Sequence, residues 1–213
     1  MTLGFSFFKV GDLLHFFSEG HHIDFIKIPS AEFTNTALIT EAKKLDIPVM
    51  LSTGGLDEET ISKYLGEYSL SNEDVVFHCI SNYPTSLGNQ QMNFLKRLPN
   101  YGNYQIGYSS HDENWEVNLI ALTYGVQVIE RHICLDKGEE GLDISSSSNK
   151  NELISLNQFI ENFSAILSCE VRLPNQGEIM NVRNLGVGLY YSRDLSEGEI
   201  VNSDDVKELS PAT

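Results

Sequence analysis

Apolar runs of β character recur along the chain at residues 3–8, 25–30, 48–52, 75–80, 105–110 and 126–133. From the second onward they return about every 20 to 30 residues, each followed by apolar positions at helical spacing. Helices are expected over 10–17, 35–45, 58–65, 90–98, 115–124 and 150–167, the second with Ala37, Leu38, Ala42 and Leu45 on one face. The run 75–80 is apolar apart from His78, which fits a strand buried on both faces. Pro29 lacks an N–H and marks the exit of its strand. Strand and helix in alternation predict an α/β fold, either a (β/α) TIM-type barrel or a doubly wound sheet. No Gly-x-Gly-x-x-Gly follows any strand, whereas polar residues cluster after every one, which favours the barrel.

One stretch concentrates the chemistry. Residues 105–110 and 126–133 flank a helical pattern carrying Trp115, Leu119 and Leu122. Strand–helix–strand at that spacing is a βαβ unit with parallel strands. His111 follows the first strand and His132 lies near the end of the second, so both reach the rim where α/β proteins build their sites. A shared metal ion is the functional expectation for this pair. Lone histidines such as His78 and His15 are read as ordinary hydrogen-bonded residues, and Cys79 and Cys134 as small core residues. Glu130 is expected to pair with a neighbouring basic group.

Composition narrows the picture. The 213 residues suffice for one α/β domain with a small appendage, and 41% hydrophobic residues is a globular proportion. A formal charge of −16 leaves no basic stripe for a nucleic-acid backbone. Three cysteines without short-range pairing imply reduced thiols and a cytoplasmic setting. Lys9 and Asp12 interrupt the apolar start well short of the roughly 20 residues that span a bilayer, so no membrane segment is expected. From residue 174 the character changes to short strand-like runs at Gly188–Tyr191 and 199–201, beyond a linker near 174–177. The expected division is therefore 1–173 and 174–213.

Several motifs in order then carry a resemblance. They are Lys27-Ile28-Pro29-Ser30-Ala31-Glu32, Leu51-Ser52-Thr53-Gly54, His78-Cys79-Ile80-Ser81-Asn82-Tyr83-Pro84, Ile106-Gly107-Tyr108-Ser109-Ser110-His111 and Val128-Ile129-Glu130-Arg131-His132. The chain resembles the N-acetylneuraminate (sialic acid) synthases and their legionaminate and pseudaminate relatives. The segment from Ser192 to Ile200 looks like the opening of that family's C-terminal antifreeze-like (SAF) β-rich domain. The resemblance implies a phosphoenolpyruvate-dependent, C–C bond-forming transferase that condenses phosphoenolpyruvate with an N-acetylated amino sugar and releases phosphate. It implies His111 and His132 as ligands of manganese or magnesium, with Glu32 as the carboxylate beside the reacting carbons. Lys27, Ser30 and Ser109 would surround the phosphate, Ser81, Asn82 and Tyr83 would line the pocket, and Asp143 would contact the sugar.

The chain also departs from the family pattern. Pro29 and Ala31 stand where the family has glycines, and Pro29 removes a backbone donor. Ser110 replaces an aspartate that could orient the metal ligand. About six βα units are visible, fewer than a closed barrel needs. Relative to the family the chain is short at both ends, which leaves 3–8 and 126–133 as apolar edges. A homodimer, or completion by another chain, is the expected remedy. The alternative is a catalytically impaired relative that binds a sugar or a partner subunit.

Overall fold

The computed structural model describes residues 2–167 and 171–210. The chain divides into two compact units, Met1–Phe163 and Ser164–Thr213.

In the first unit seven parallel strands, six of them formed by the apolar runs, are hydrogen-bonded in chain order. They are β1 (Gly4–Ser6), β2 (Phe25–Ile28), β3 (Val49–Ser52), β4 (Val75–Cys79), β5 (Gln105–Ser110), β6 (Val128–Ile133) and β7 (Ser147–Ser148). Helices α1 (Val10–Ser18), α2 (Thr36–Lys43), α3 (Glu58–Glu67) and α4 (Val117–Thr123) connect strands, and α5 (Lys150–Ile166) follows the last. Side chains alternate along each strand. Ile26 and Ile28 of β2 join Val49 and Leu51 of β3 in a core with Leu13, Leu38, Ile39, Ala42, Ile61 and Leu65 from the helices. Each large aliphatic side chain buried there contributes about 1.5–3 kcal/mol.

Lys27, between the two isoleucines, points the other way. Its Nζ lies 2.5 Å from Glu130 Oε2, although β2 and β6 are four strands apart in the sheet order. In a flat sheet those strands would be roughly 19 Å apart, at about 4.8 Å per strand. The sheet is therefore curled into a half-barrel, with Lys27 and Glu130 meeting across its concave side.

The structure corrects several expectations. The sheet has a seventh strand, β7, which carries no apolar pattern because it is two residues inside a serine run. It pairs with β6 in the register His132↔Ser147, and Cys134 N donates to Ser148 O at 3.0 Å, so the C-terminal end of β6 is covered. The helix expected at 90–98 is a series of 3-10 turns, Leu87–Asn89, Met92–Lys96 and Leu98–Tyr101. Gln91 takes a left-handed φ of 48°, and Pro99 adds a second break. Among the described residues no helix is long and apolar enough to cross a membrane. Cys79 and Cys134 are free thiols, and Cys169 lies outside the described residues.

The second unit contains α6 (Gln176–Leu185) and a two-stranded antiparallel hairpin, β8 (Gly188–Tyr191) with β9 (Val206–Leu209). The expected linker near 174–177 is instead the start of α6, held by a capping box between Asn175 and Glu178. Residues 199–201 are not a strand. Glu199 closes a turn onto Ser196 N and pairs with Arg193. A helix and one hairpin are less β-rich than the expected SAF opening.

At the opposite end of the strands, Asp74 joins three segments. It is fully buried, and its carboxylate accepts from Lys43 Nζ at 2.7 and 2.8 Å, Val49 N at 2.8 Å and Ser71 N at 2.7 Å. Asp74→Ala is expected to lower stability by about 3 kcal/mol, because it strands two backbone donors and a lysine. The urea midpoint measures this, and a shift typical of a surface substitution would contradict it.

Candidate active site

Strands β5 and β6 set the site through their register. Ser109 lies opposite Glu130 and Ser110 opposite Arg131, and one residue further on come His111 and His132. Alternation puts Ser109, Glu130 and the two histidines on the concave side, and Ser110 and Arg131 on the helix side. The concave pair is joined directly, Ser109 Oγ donating to Glu130 Oε1 at 2.7 Å. Lys27 Nζ completes the group, donating to Ser52 Oγ at 2.7 Å and standing 4.3 Å from the centre of the Phe77 ring. Burial pushes the Glu130 carboxyl up, but Lys27 and Ser109 outweigh it and hold the group below the usual carboxylate range.

Above this group the histidine rings stand 5.3 Å apart, centre to centre and edge to face. His111 Nδ1 lies 2.8 Å from Ile80 O, so this nitrogen carries the proton and Nε2 is left as the acceptor. Tyr83 packs on His111 at 4.1 Å and against His132 at 5.6 Å. His132 Nδ1 is 3.8 Å from Asp143 Oδ2. Burial disfavours charge on both rings. Cys79, the Ile80 carbonyl and Glu130 overcome it and raise the pKa of His111, whereas burial and the neighbouring His111 lower that of His132. Burial likewise raises the Cys79 thiol, but His111 at 3.8 Å and nearby hydroxyls bring it below its ordinary value.

A cavity of about 410 Å³ connects these groups, lined by Lys27, Ser30, Ser52, Cys79, Tyr83, Ser109, His111, Glu130 and His132 among others. Gly54 shapes its wall. Its N–H donates to Ser30 Oγ at 3.0 Å, and a Cβ there would lie 2.1 Å from Ser81 Oγ and 2.8 Å from Ser30 Oγ. Only glycine lets these hydroxyls converge on the backbone.

Two facing imidazoles, one with its tautomer fixed by a backbone carbonyl, fit a divalent ion that takes its other ligands from water or substrate. Among the described residues no group of three His, Cys, Asp or Glu side chains is spaced to hold a metal by itself.

Six of the residues expected from sequence, Lys27, Ser30, Tyr83, Ser109, His111 and His132, line this one cavity. Asp143 borders it through His132. Ser81 and Asn82 line an adjoining cavity of about 630 Å³ on the other side of Cys79. Glu32 lies outside the 410 Å³ cavity, its carboxylate accepting from Asn35 Nδ2 at 2.7 Å. Sequence reasoning passed over Glu130, Ser52 and Cys79 as parts of the cavity wall. Glu130 was within reach of inference, being two residues before His132 and therefore on the same face. Ser110 faces away from the histidines, so a carboxylate at that position would not touch them.

The Lys27–Glu130 pair should be measurable in stability. Lys27→Met is expected to cost about 1–2 kcal/mol, less than a fully buried pair because the Glu130 side chain is 38% exposed. With Glu130→Gln added, the loss should shrink. The depressed Glu130 pKa means that the pair stabilises above the unfolded-state value, and that this contribution disappears as pH falls through the folded-state value. Urea titrations of the four proteins across the acid range test this, and strictly additive losses would contradict it.

Known proteins share this arrangement of sequence and fold. The NeuB family model matches residues 8–172. The N,N'-diacetyllegionaminic acid synthase of Legionella pneumophila is 30% identical over 195 residues, covering 88% of this chain and 54% of the relative. The N-acetylneuraminate-9-phosphate synthase of Drosophila melanogaster is 31% identical over 145 residues, covering 67% of this chain and 39% of the relative. The chain thus spans about half the length, or less, of these relatives. The N-acetylneuraminic acid (sialic acid) synthetase of Leptospira borgpetersenii superposes with a TM-score of 0.69 at 25% identity, covering 83% of this chain and 62% of that one. With its family model matched over most of its length and its fold shared with a synthetase of that kind, the chain belongs to the NeuB family.

Proposed function

We propose that the chain takes part in a sialic acid synthase-type condensation of phosphoenolpyruvate with an N-acetylated amino sugar, N-acetylmannosamine-like, giving a nonulosonic acid and phosphate. The observation that carries this reading is the single cavity in which Lys27, Ser30, Ser109, Glu130, His111 and His132 meet. In the reaction, C3 of phosphoenolpyruvate bonds to the aldehyde carbon of the open-chain sugar. Water adds at C2, and the C2–O bond to phosphate breaks to leave the 2-keto acid. Manganese or magnesium on His111 and His132 would supply Lewis-acid stabilisation of the aldehyde oxygen.

The remaining work falls to the chain. Lys27 offers the cavity's ammonium group, with Ser30 and Ser109 as hydroxyl donors beside it, a set suited to phosphate in an otherwise acidic protein. Glu130 keeps Lys27 in place and is a poor base, because its carboxyl is held low. Glu32 is the proposed carboxylate for positioning water at C2, which requires it to exchange its bond to Asn35. Tyr83 would cover the cavity over the histidines, which it packs against, and Asp143, beside His132, would meet a sugar hydroxyl.

A second copy or another polypeptide is the proposed cover for β1. Among the described residues that strand pairs only with β2, and Leu3, Phe5 and Phe8 in and around it are about half exposed.

The decisive assay measures inorganic phosphate released from phosphoenolpyruvate with N-acetylmannosamine and manganese. Release is expected, is expected to stop with chelator, and is expected to fall at least about a hundredfold in His111→Ala. No release under any condition, with sugar binding retained, would replace this reading by that of a non-catalytic sugar-binding relative.

A further inference from the structure

Behind the histidine pair, on the helix side of the sheet, lies a buried polar network centred on Asp112. Asp112 is 1% exposed and Ser110 fully buried. Ser110 Oγ donates to Asp112 Oδ2 at 2.7 Å and accepts from Arg131 Nη1 at 2.7 Å. One hydroxyl thus links the guanidinium of β6 to a carboxylate just beyond β5. Arg131 uses its Nε to hold Ser148 Oγ of β7 and its Nη2 to hold the Asp112 carbonyl at 2.8 Å.

The other side of Asp112 faces the segment that carries Tyr83. Asp112 Oδ1 accepts from Gln90 Nε2, which also donates to Thr85 O at 3.1 Å. Thr85 N in turn donates to His111 O at 2.9 Å. Tyr108 Oη donates to Asp112 Oδ2 at 2.7 Å. Every side-chain partner of this carboxylate is a donor, and the paths through Ser110 and Gln90 lead to the elements that carry the two rings.

We propose that Asp112 is a positioning residue for the His111–His132 pair, anchoring Arg131 through Ser110 and the Tyr83 segment through Gln90. Arg131 immediately precedes His132 and fastens β7, whose Ser147 lies opposite His132. Fixing the guanidinium from behind therefore fixes the backbone from which His132 projects. The arrangement sets a carboxylate one hydroxyl away from Arg131, on its β5 side. Position 110 could present one directly, since the carboxylate introduced by Ser110→Asp would stand where the serine hydroxyl now meets Nη1.

The proposal rests on the metal reading of the histidine pair for one of its two readouts. Those readouts are Mn²⁺ affinity by titration and hydrogen exchange at the Cys134 amide, which is bonded to β7. Asp112→Asn is expected to weaken Mn²⁺ binding by about tenfold, as loss of outer partners of metal ligands does, and to speed exchange at Cys134. Ser110→Ala should do the same without touching the carboxylate, and it decides the matter if Asp112→Asn does not fold. Adding Ser110→Asp to Asp112→Asn should return both readouts towards the parent protein. An Asp112→Asn protein indistinguishable from the parent, or a double variant with no recovery, would overturn the proposal. If the parent protein binds no Mn²⁺, the metal reading fails on its own and the exchange measurements still decide for or against Asp112.

Discussion

The meeting of Lys27 and Glu130 across the concave side of the sheet is the constraint on which the site depends. Neither side chain could reach the other across a flat sheet, so the contact and the curl imply each other. The curl turns the rims of β2, β4, β5 and β6 towards one another, and it makes a cavity out of residues scattered over more than a hundred positions. It also settles the electrostatics locally. A chain of formal charge −16 keeps a buried ammonium at the floor of this cavity because one carboxylate and one hydroxyl hold it there.

Much of this was legible in the order of residues. The six apolar runs fall on six of the strands because each is a short apolar stretch followed by a segment able to cover one of its faces. The rim positions of His111 and His132 followed from strand direction alone. The elements that sequence did not reveal have weak or misleading signals. Strand β7 is two serines, recognisable only through its partner β6. The turns at 87–101 have enough apolar residues to imitate a helix, but Gln91 takes a left-handed backbone that sequence pattern does not announce. In the second unit, α6 was missed although Asn175 and Glu178 spell a helix start. The turn residues around Pro174 imitate a linker and mask it.

The site was legible in a similar, uneven way. The strand residues expected at the site meet in one cavity, because parity along a strand decides which face they take, and Ser30 and Tyr83 reach it from the loops. The remaining loop residues do not line it. Glu32 and the Ser81-Asn82 pair lie on the loops after their strands but outside the histidines' cavity, and only the three-dimensional path of those loops shows this. The replacement of an expected aspartate by Ser110 reads in sequence as a loss. In space, a carboxylate two residues later is hydrogen-bonded to that serine, and both lie on the reverse face of the sheet.

The register of β5 against β6 sorts this stretch into two kinds of tolerance. Within the paired residues, inward positions carry reactive groups and outward positions carry the framework that steadies them. An insertion or deletion of one residue inside either strand would exchange those roles, burying an imidazole among the helices and turning a guanidinium into the cavity. The connections before and after the strands have no such parity to keep. A change of one residue in length is therefore tolerable in the loops and not inside either strand.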